Sequence, residues 1–200
     1  MAISDRAAIL HYHRARIASF GRGTPAALGW KTPRSQTARF EVLAEIGDLN
    51  DHSVLDVGCG HGDLRAFLGQ RYPHLQYLGL DHFEPFLEVA SERYASWPNT
   101  SFLLGDFTTA RLPEVDYVIA SGALGYRSQE SDFVVRMIDK LYSSCQVALG
   151  FNLLRHVPDG EAVLAAHDPE TIDAHCRRLA SRVSLREGYL QDDFTVFLYR

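Results

Sequence analysis

Asp56, Asp81 and Asp106 each close a short apolar run, and the first of them opens into Gly58-Cys59-Gly60-His61-Gly62. A β-branched stretch that ends on an acid and turns through alternating glycines reads as a strand feeding a helix across a ligand site. Glycine lets backbone N–H groups approach a ligand where a Cβ would collide. The carboxylate just ahead of the turn argues against an occupant that is only a pyrophosphate. Asp81 lies about twenty residues past the glycines, the separation at which an acid meets ribose hydroxyls in nucleotide-binding folds. Asp106, in Leu104-Gly105-Asp106-Phe107, is placed to accept a hydrogen bond from an adenine amino group. A single such acid serves equally well as a helix cap or turn residue; three at successive strand ends, beside a glycine loop, point to a nucleotide.

These residues need a scaffold that brings strand ends together, and the apolar patterning supplies one. Residues 5–20 form an amphipathic helix capped by Ser4 or Asp5, and a second helix runs from about Arg34 to Ile46. Strands are expected at 54–57, 77–80, 102–104, 115–120 and 147–151, with helices at 64–71, 85–94 and 133–141. Strands alternating with helices at this spacing imply crossover connections and a mainly parallel sheet covered on both faces. Residues 183–185 and 194–199 lie too close together for a helical crossover, so they pair as a hairpin. The expected fold is α/β: a three-layer α/β/α sandwich whose seven-stranded, mostly parallel sheet ends in a C-terminal antiparallel hairpin.

Composition narrows the function classes. Apolar residues make up 46% of the chain and charged ones 22%, which suits a globular domain with a sizeable core. A formal net charge of −5 leaves no electrostatic footprint for nucleic acid or an anionic membrane. Arg14, Arg16 and Arg22 read as a solvated face. Cys59, Cys145 and Cys176 show neither disulfide nor zinc-ligand spacing, as expected in a reducing cytoplasm. The N-terminus has no secretory pattern and no apolar run reaches membrane-spanning length, so a soluble protein is expected.

In the company of these motifs, the chain resembles the class I S-adenosylmethionine-dependent methyltransferases. The resemblance rests on Val54–Gly62, Tyr77–Asp81, Leu104–Phe107 and Val115–Gly122, and Asp193-Phe194-Thr195-Val196 resembles the family's inserted last strand. It implies one domain over residues 1–200, with 1–47 as a helical cap and 48–200 as a Rossmann-like core. It implies S-adenosylmethionine as cofactor, leaving S-adenosylhomocysteine as product. The backbone of Gly58, Cys59 and Gly60 would line the methionine part, and Asp56 would support that loop or the amino group. Asp81 would hold both ribose hydroxyls, with His82 or Phe83 against the adenine and Asp106 and Phe107 at its edge. Ser121 and Gly122 would lie under the cofactor. Gln36 and Arg39 match the helix that closes over the methionine carboxylate in many relatives, and Arg suits a carboxylate bidentately; Arg39 also reads as a plain surface cation.

Methyl transfer from a sulfonium is an in-line displacement with a neutral leaving group, so the protein mainly aligns the reactants and excludes water. A base is required only where the acceptor carries a proton of high pKa. Candidates are His61, His82, Tyr126, His156, His167 and His175; Tyr126 is best placed, just beyond the fourth strand, and His156 second. Residues 152–168 form a long connection at the same edge, as lids often do. The Asn/Asp-Pro-Pro-aromatic run of amino-methylating nucleic-acid enzymes is replaced by Ser121-Gly122-Ala123-Leu124, and no metal-binding acid cluster follows the fourth strand. The expectation is a metal-free enzyme acting on a small-molecule acceptor, with no metal site and no nucleic-acid partner. Alternatives are a methyltransferase-like module that binds without catalysing and a protein or RNA methyltransferase. An NAD-dependent oxidoreductase ranks lower, because Gly62 is followed by Asp63 and the third glycine of GxGxxG is misplaced.

Overall fold

A computed structural model describes residues 1–200. The N-terminal segment holds α1 (Ile3–Phe20) and α2 (Pro33–Leu43), with 3-10 turns at Pro25–Leu28 and Ala44–Ile46. There follow β1 (Ser53–Val57), α3 (Asp63–Gly69), β2 (Gln76–Asp81), α4 (Glu84–Tyr94) and β3 (Thr100–Leu104). The chain continues through β4 (Val115–Ala120), α5 (Phe133–Ser144) and β5 (Cys145–Leu154). It ends in α6 (Pro169–Leu179), β6 (Arg182–Glu187) and β7 (Asp193–Tyr199).

Seven strands form one sheet in the order β3-β2-β1-β4-β5-β7-β6, with β1 to β5 parallel and β7 antiparallel to both β5 and β6. The expected strands and hairpin are all present. Alternation along the strands sorts the core onto two faces. Leu55, Val57, Val118, Ala120, Val196 and Leu198 pack with α5 and α6, whereas Val54, Tyr117, Ile119 and Phe197 pack with α2 and α3. The chain winds outward from β1 through β2 to β3 and then returns to β4 on the other side of β1. The gap between the carboxyl ends of β1 and β4 is therefore the switch point, where open α/β sheets bind ligands.

Two local expectations are corrected. Neither Ser4 nor Asp5 caps α1: the helix begins at Ile3 behind Ala2, which offers no side-chain acceptor. Asp5 is buried, and its Oδ2 accepts from the Ser128 hydroxyl at 2.9 Å and the Gln129 N–H at 3.1 Å, pinning α1 to the loop after β4. Residues 169–179 form α6, a helix that the sequence pattern left unassigned. Asp168 caps it from Oδ2 to the Thr171 N–H at 3.0 Å, with Pro169 leading its first turn.

The two margins of the sheet differ in chemistry. At one edge β6 carries exposed Arg182, Arg186 and Glu187; at the other β3 exposes Ser101, Leu103 and Leu104 and has no charged residue. No helix is long and apolar enough to cross a membrane.

Candidate active site

A cavity of about 350 Å³ opens at the switch point, between the strand ends and a roof of α1, the Pro25–Leu28 turn and α2. Arg39, Asp56, Gly58, Cys59, Gly60, Asp81, His82, Asp106, Phe107, Ser121, Tyr126 and His156 all line it. Of the other base candidates, His61, His167 and His175 do not. His175 instead pairs with Asp139, Nε2 to Oδ1 at 2.6 Å.

The glycine turn owes its residues to the protein around it. Gly58 has φ +71°, and a Cβ there would stand 2.6 Å from the Cβ of Ala123 in the loop after β4. Glycine at this position therefore leaves room for the loop after β4 to pack against the end of β1, which the parallel ladder already sets beside β4. The expectation of free backbone donors is corrected by the hydrogen bonding. The N–H groups of Gly58 and Cys59 both donate to the Leu80 carbonyl, at 2.7 and 3.2 Å, and Gly62 donates to the Cys59 carbonyl at 2.9 Å. Gly60 donates to Asp81 Oδ2 at 2.9 Å. These four donors are already engaged, so a pyrophosphate finds them occupied, and the dinucleotide reading loses its anchor.

Asp81 is buried, with Oδ1 accepting the Phe83 N–H at 2.9 Å. Each oxygen thus accepts one N–H, and a carboxylate has roughly four acceptor positions, so each keeps one for a ligand hydroxyl. Burial pushes the Asp81 carboxyl up, against the pull of the Phe83 and Gly60 N–H groups. Burial also acts on Asp106, but the Thr108 hydroxyl and N–H, at 2.7 and 2.9 Å, outweigh it and hold the carboxyl below the usual range. Arg6 of α1 approaches Asp106 Oδ2 at 3.6 Å, closing the roof over that end.

Asp56 is buried beneath the turn, with Oδ2 accepting from the Tyr77 hydroxyl at 2.5 Å. Burial raises its pKa to about 7, the Tyr77 hydroxyl opposing and Asp81 adding to the rise. The folded state therefore holds a proton that the unfolded chain has already lost, and stability falls as pH rises from about 4 toward 7. Asp56→Asn mimics the protonated acid. Between pH 5 and 7, wild type should lose about 2 kcal/mol of unfolding free energy relative to Asp56→Asn, at up to ~1.4 kcal/mol per pH unit. Urea midpoints of both proteins at the two pH values check this; parallel changes would contradict it.

The residues matched to a methionine carboxylate have protein partners. Gln36 Nε2 donates to Asp63 Oδ2 at 2.9 Å, and Arg39 pairs with Asp193 of β7 at 2.5 Å. Arg39 also lies over the Trp30 ring at 4.7 Å and is 14% exposed, so the plain surface-cation reading does not hold. His156 stands at the rim with a side chain 67% exposed, its Nδ1 3.8 Å from Asp192 Oδ1. Tyr126 faces the cavity from the loop after β4. The 152–168 connection is tied to that loop, Arg127 N–H to the Val163 carbonyl at 2.8 Å and Ala165 N–H to the Gly125 carbonyl at 2.9 Å. Val157, Pro158, Glu161 and Leu164 bring it into the cavity wall.

Buried polar atoms without a protein partner gather here: Arg39 Nε, Asp56 Oδ1, His82 Nε2 and Ser121 Oγ, all on lining residues. Native interiors rarely leave such atoms unmet, and four around one cavity mark it as a place for a polar ligand. Sequence reasoning missed His13, Trp30 and Asp193, which reach the cavity from α1, the α2 approach and β7.

Comparison with known proteins agrees with this geometry. Residues 54–145 match the methyltransferase domain family. Trans-aconitate 2-methyltransferase of Mycobacterium tuberculosis is 28% identical over 138 residues, 65% of this chain and 49% of that protein. Demethylmenaquinone methyltransferase of Thermotoga maritima is 30% identical over 128 residues, 64% of this chain and 49% of that protein. The chain thus spans about half the length of these curated relatives. Among solved structures, magnesium protoporphyrin IX methyltransferase from Synechocystis PCC 6803 with bound S-adenosylmethionine superposes with a TM-score of 0.73. That likeness covers 100% of this chain and 98% of that one, at 18% identity, and shows a shared fold.

Proposed function

We propose, from the match of residues 54–145 to the methyltransferase domain family, that this chain is a class I S-adenosylmethionine-dependent methyltransferase acting on a small-molecule acceptor. The observation that carries the reading is the convergence of Asp56, Asp81 and Asp106 on one cavity whose buried polar atoms await a ligand. Asp81 is the ribose holder, Asp106 and Phe107 the adenine edge, and Gly58, Cys59 and Gly60 the wall beside the methionine part. Asp56 Oδ1 and Ser121 Oγ are left to meet the polar groups of the amino-acid end. His82, with Nε2 unmet and facing the cavity, is the residue against the adenine. Arg39 reaches the methionine carboxylate through Nε while its terminal nitrogen stays with Asp193.

The bound cofactor supplies an activated methyl group. The protein's part is to hold donor and acceptor in line and to keep water away, which proximity and an enclosed site accomplish together. Small acceptors fit a roofed cavity of about 350 Å³ better than a folded macromolecule does. Titration calorimetry with S-adenosylhomocysteine and with NAD tests the cofactor: the first should bind and the second should not. Methyl-labelled S-adenosylmethionine incubated with a lysate should then label a small-molecule product. Tight binding with no labelled product would favour a non-catalytic module.

A further inference from the structure

His13, on α1, belongs to none of the assignments above. It is 4% exposed, and Tyr12, Phe83, Phe86 and Tyr126 surround its ring at centroid distances between 4.9 and 6.0 Å. Its Nε2 lies 2.8 Å from the Tyr126 oxygen, and its Nδ1 lies 3.4 Å from the Ala27 carbonyl. A carbonyl only accepts, which assigns the hydrogen to Nδ1 and leaves Nε2 bare. The Tyr126 hydroxyl therefore donates to His13. Its remaining lone pair is free to turn to the cavity that both residues line.

Burial keeps this pair neutral. It lowers the His13 pKa to about 4, the Ala27 carbonyl opposing and His82, Arg16 and His61 adding to the fall. It pushes the Tyr126 phenol well up, so no phenolate forms. A neutral tyrosine that already donates to a bare imidazole nitrogen offers the cavity an acceptor and a route for one proton. An anionic acceptor would set its own lone pairs against the Tyr126 oxygen, or break the bond to His13 to gain a donor.

Resting on the methyl-transfer reading, we propose that Tyr126 and His13 form a proton-accepting relay and that the methyl acceptor is a small molecule with a neutral O–H or N–H nucleophile. The acceptor's lone pair takes the methyl group while the methyl–sulfur electron pair stays on sulfur. The acceptor's proton passes to the Tyr126 oxygen as the Tyr126 proton passes to His13 Nε2. The positive charge lost at sulfur thus reappears on the imidazole, and charge is conserved. A weak base suffices, because the acceptor's proton becomes strongly acidic as the methyl group attaches, and the imidazolium then releases it readily. Tyr126 is the catalytic residue here; His13 acts through it.

Nitrogen-15 NMR of the intact chain tests the pairing without any turnover. His13 should show a protonated Nδ1 and an unprotonated Nε2 whose resonance moves in Tyr126→Phe. A protonated Nε2 would overturn the relay. Transfer of label from methyl-labelled S-adenosylmethionine to the small-molecule fraction of a lysate tests the step. His13→Gln and Tyr126→Phe should each slow it about 100-fold. The double variant should be no slower than either single one, with S-adenosylhomocysteine affinity unchanged by calorimetry. The labelled product should be stable to mild base; label released as methanol marks a methyl ester and overturns the acceptor class. Wild-type rates in the variants overturn the relay alone. A wild-type chain that binds S-adenosylhomocysteine but labels nothing overturns the methyl-transfer reading and the relay with it. If His13→Gln does not fold, Tyr126→Phe decides.

Discussion

Asp81→Ala should lower the affinity for S-adenosylhomocysteine by at least about 100-fold while leaving the sheet intact. The carboxylate keeps one open acceptor position on each oxygen, and hydrogen bonds to a charged group contribute about 1.5–3 kcal/mol each. Losing two such bonds removes about 3 kcal/mol at the low end, which is two orders of magnitude. The same truncation leaves the buried Gly60 N–H without its partner at 2.9 Å, so the turn loosens as well. Asp81→Asn separates the two effects. It retains an oxygen for Gly60 but loses the charge and one acceptor, and its affinity should fall about tenfold. Calorimetry on both variants, with far-ultraviolet circular dichroism to verify the fold, decides the matter. Near-wild-type affinity in Asp81→Ala would remove Asp81 from the ribose site.

The largest effect on stability is expected at Asp193. Its pair with Arg39 joins α2 to β7 with both side chains largely out of solvent, at 14% and 7% exposure. Burial raises the Asp193 carboxyl and Arg39 draws it down, so the ion pair offsets much of its own desolvation. Removing one partner of a buried pair leaves an uncompensated charge and costs about 3–5 kcal/mol. Asp193→Ala should fall near the lower figure, because Arg39 keeps the Trp30 ring at 4.7 Å and borders the cavity. The double variant Arg39→Met/Asp193→Leu should recover most of the loss, since an apolar pair of similar volume carries no desolvation penalty. Urea unfolding of the single and double variants measures it. An Asp193→Ala loss below about 1 kcal/mol would show that water reaches Arg39 freely.

What could be read from the sequence was whatever is local. A strand that ends in an acid and turns through glycines carries its signal within ten residues, so β1, β2 and β4 and their terminal residues were legible. The hairpin of β6 and β7 was legible too, because too few residues separate them for a crossover. Other features left no local mark. α6 is the exception: Asp168 and Pro169 open it and Ile172, Cys176 and Leu179 recur at i, i+4 and i+7, so its signal was local and was passed over. Arg39 could be placed on its helix, but its partner lies 154 positions away on β7, and no spacing rule connects them. His13 looks like any histidine on an amphipathic helix; only the packing of α1 over the loop after β4 brings it to Tyr126. The need for glycine at Gly58 was visible, yet its cause was misread: the obstructing neighbour is Ala123, not a ligand.

The unequal margins of the sheet bear on how copies of this chain meet one another. A strand at an edge offers its outer N–H and C=O groups as a template for one more strand. On β6 the flanking charges of Arg182, Arg186 and Glu187 discourage such growth. β3 has no such guard, and Leu103 and Leu104, 50% and 60% exposed, present apolar surface beside the open ladder. Any tendency of the folded protein to self-associate in crowded solution is therefore directional, beginning at β3 and stopping at β6.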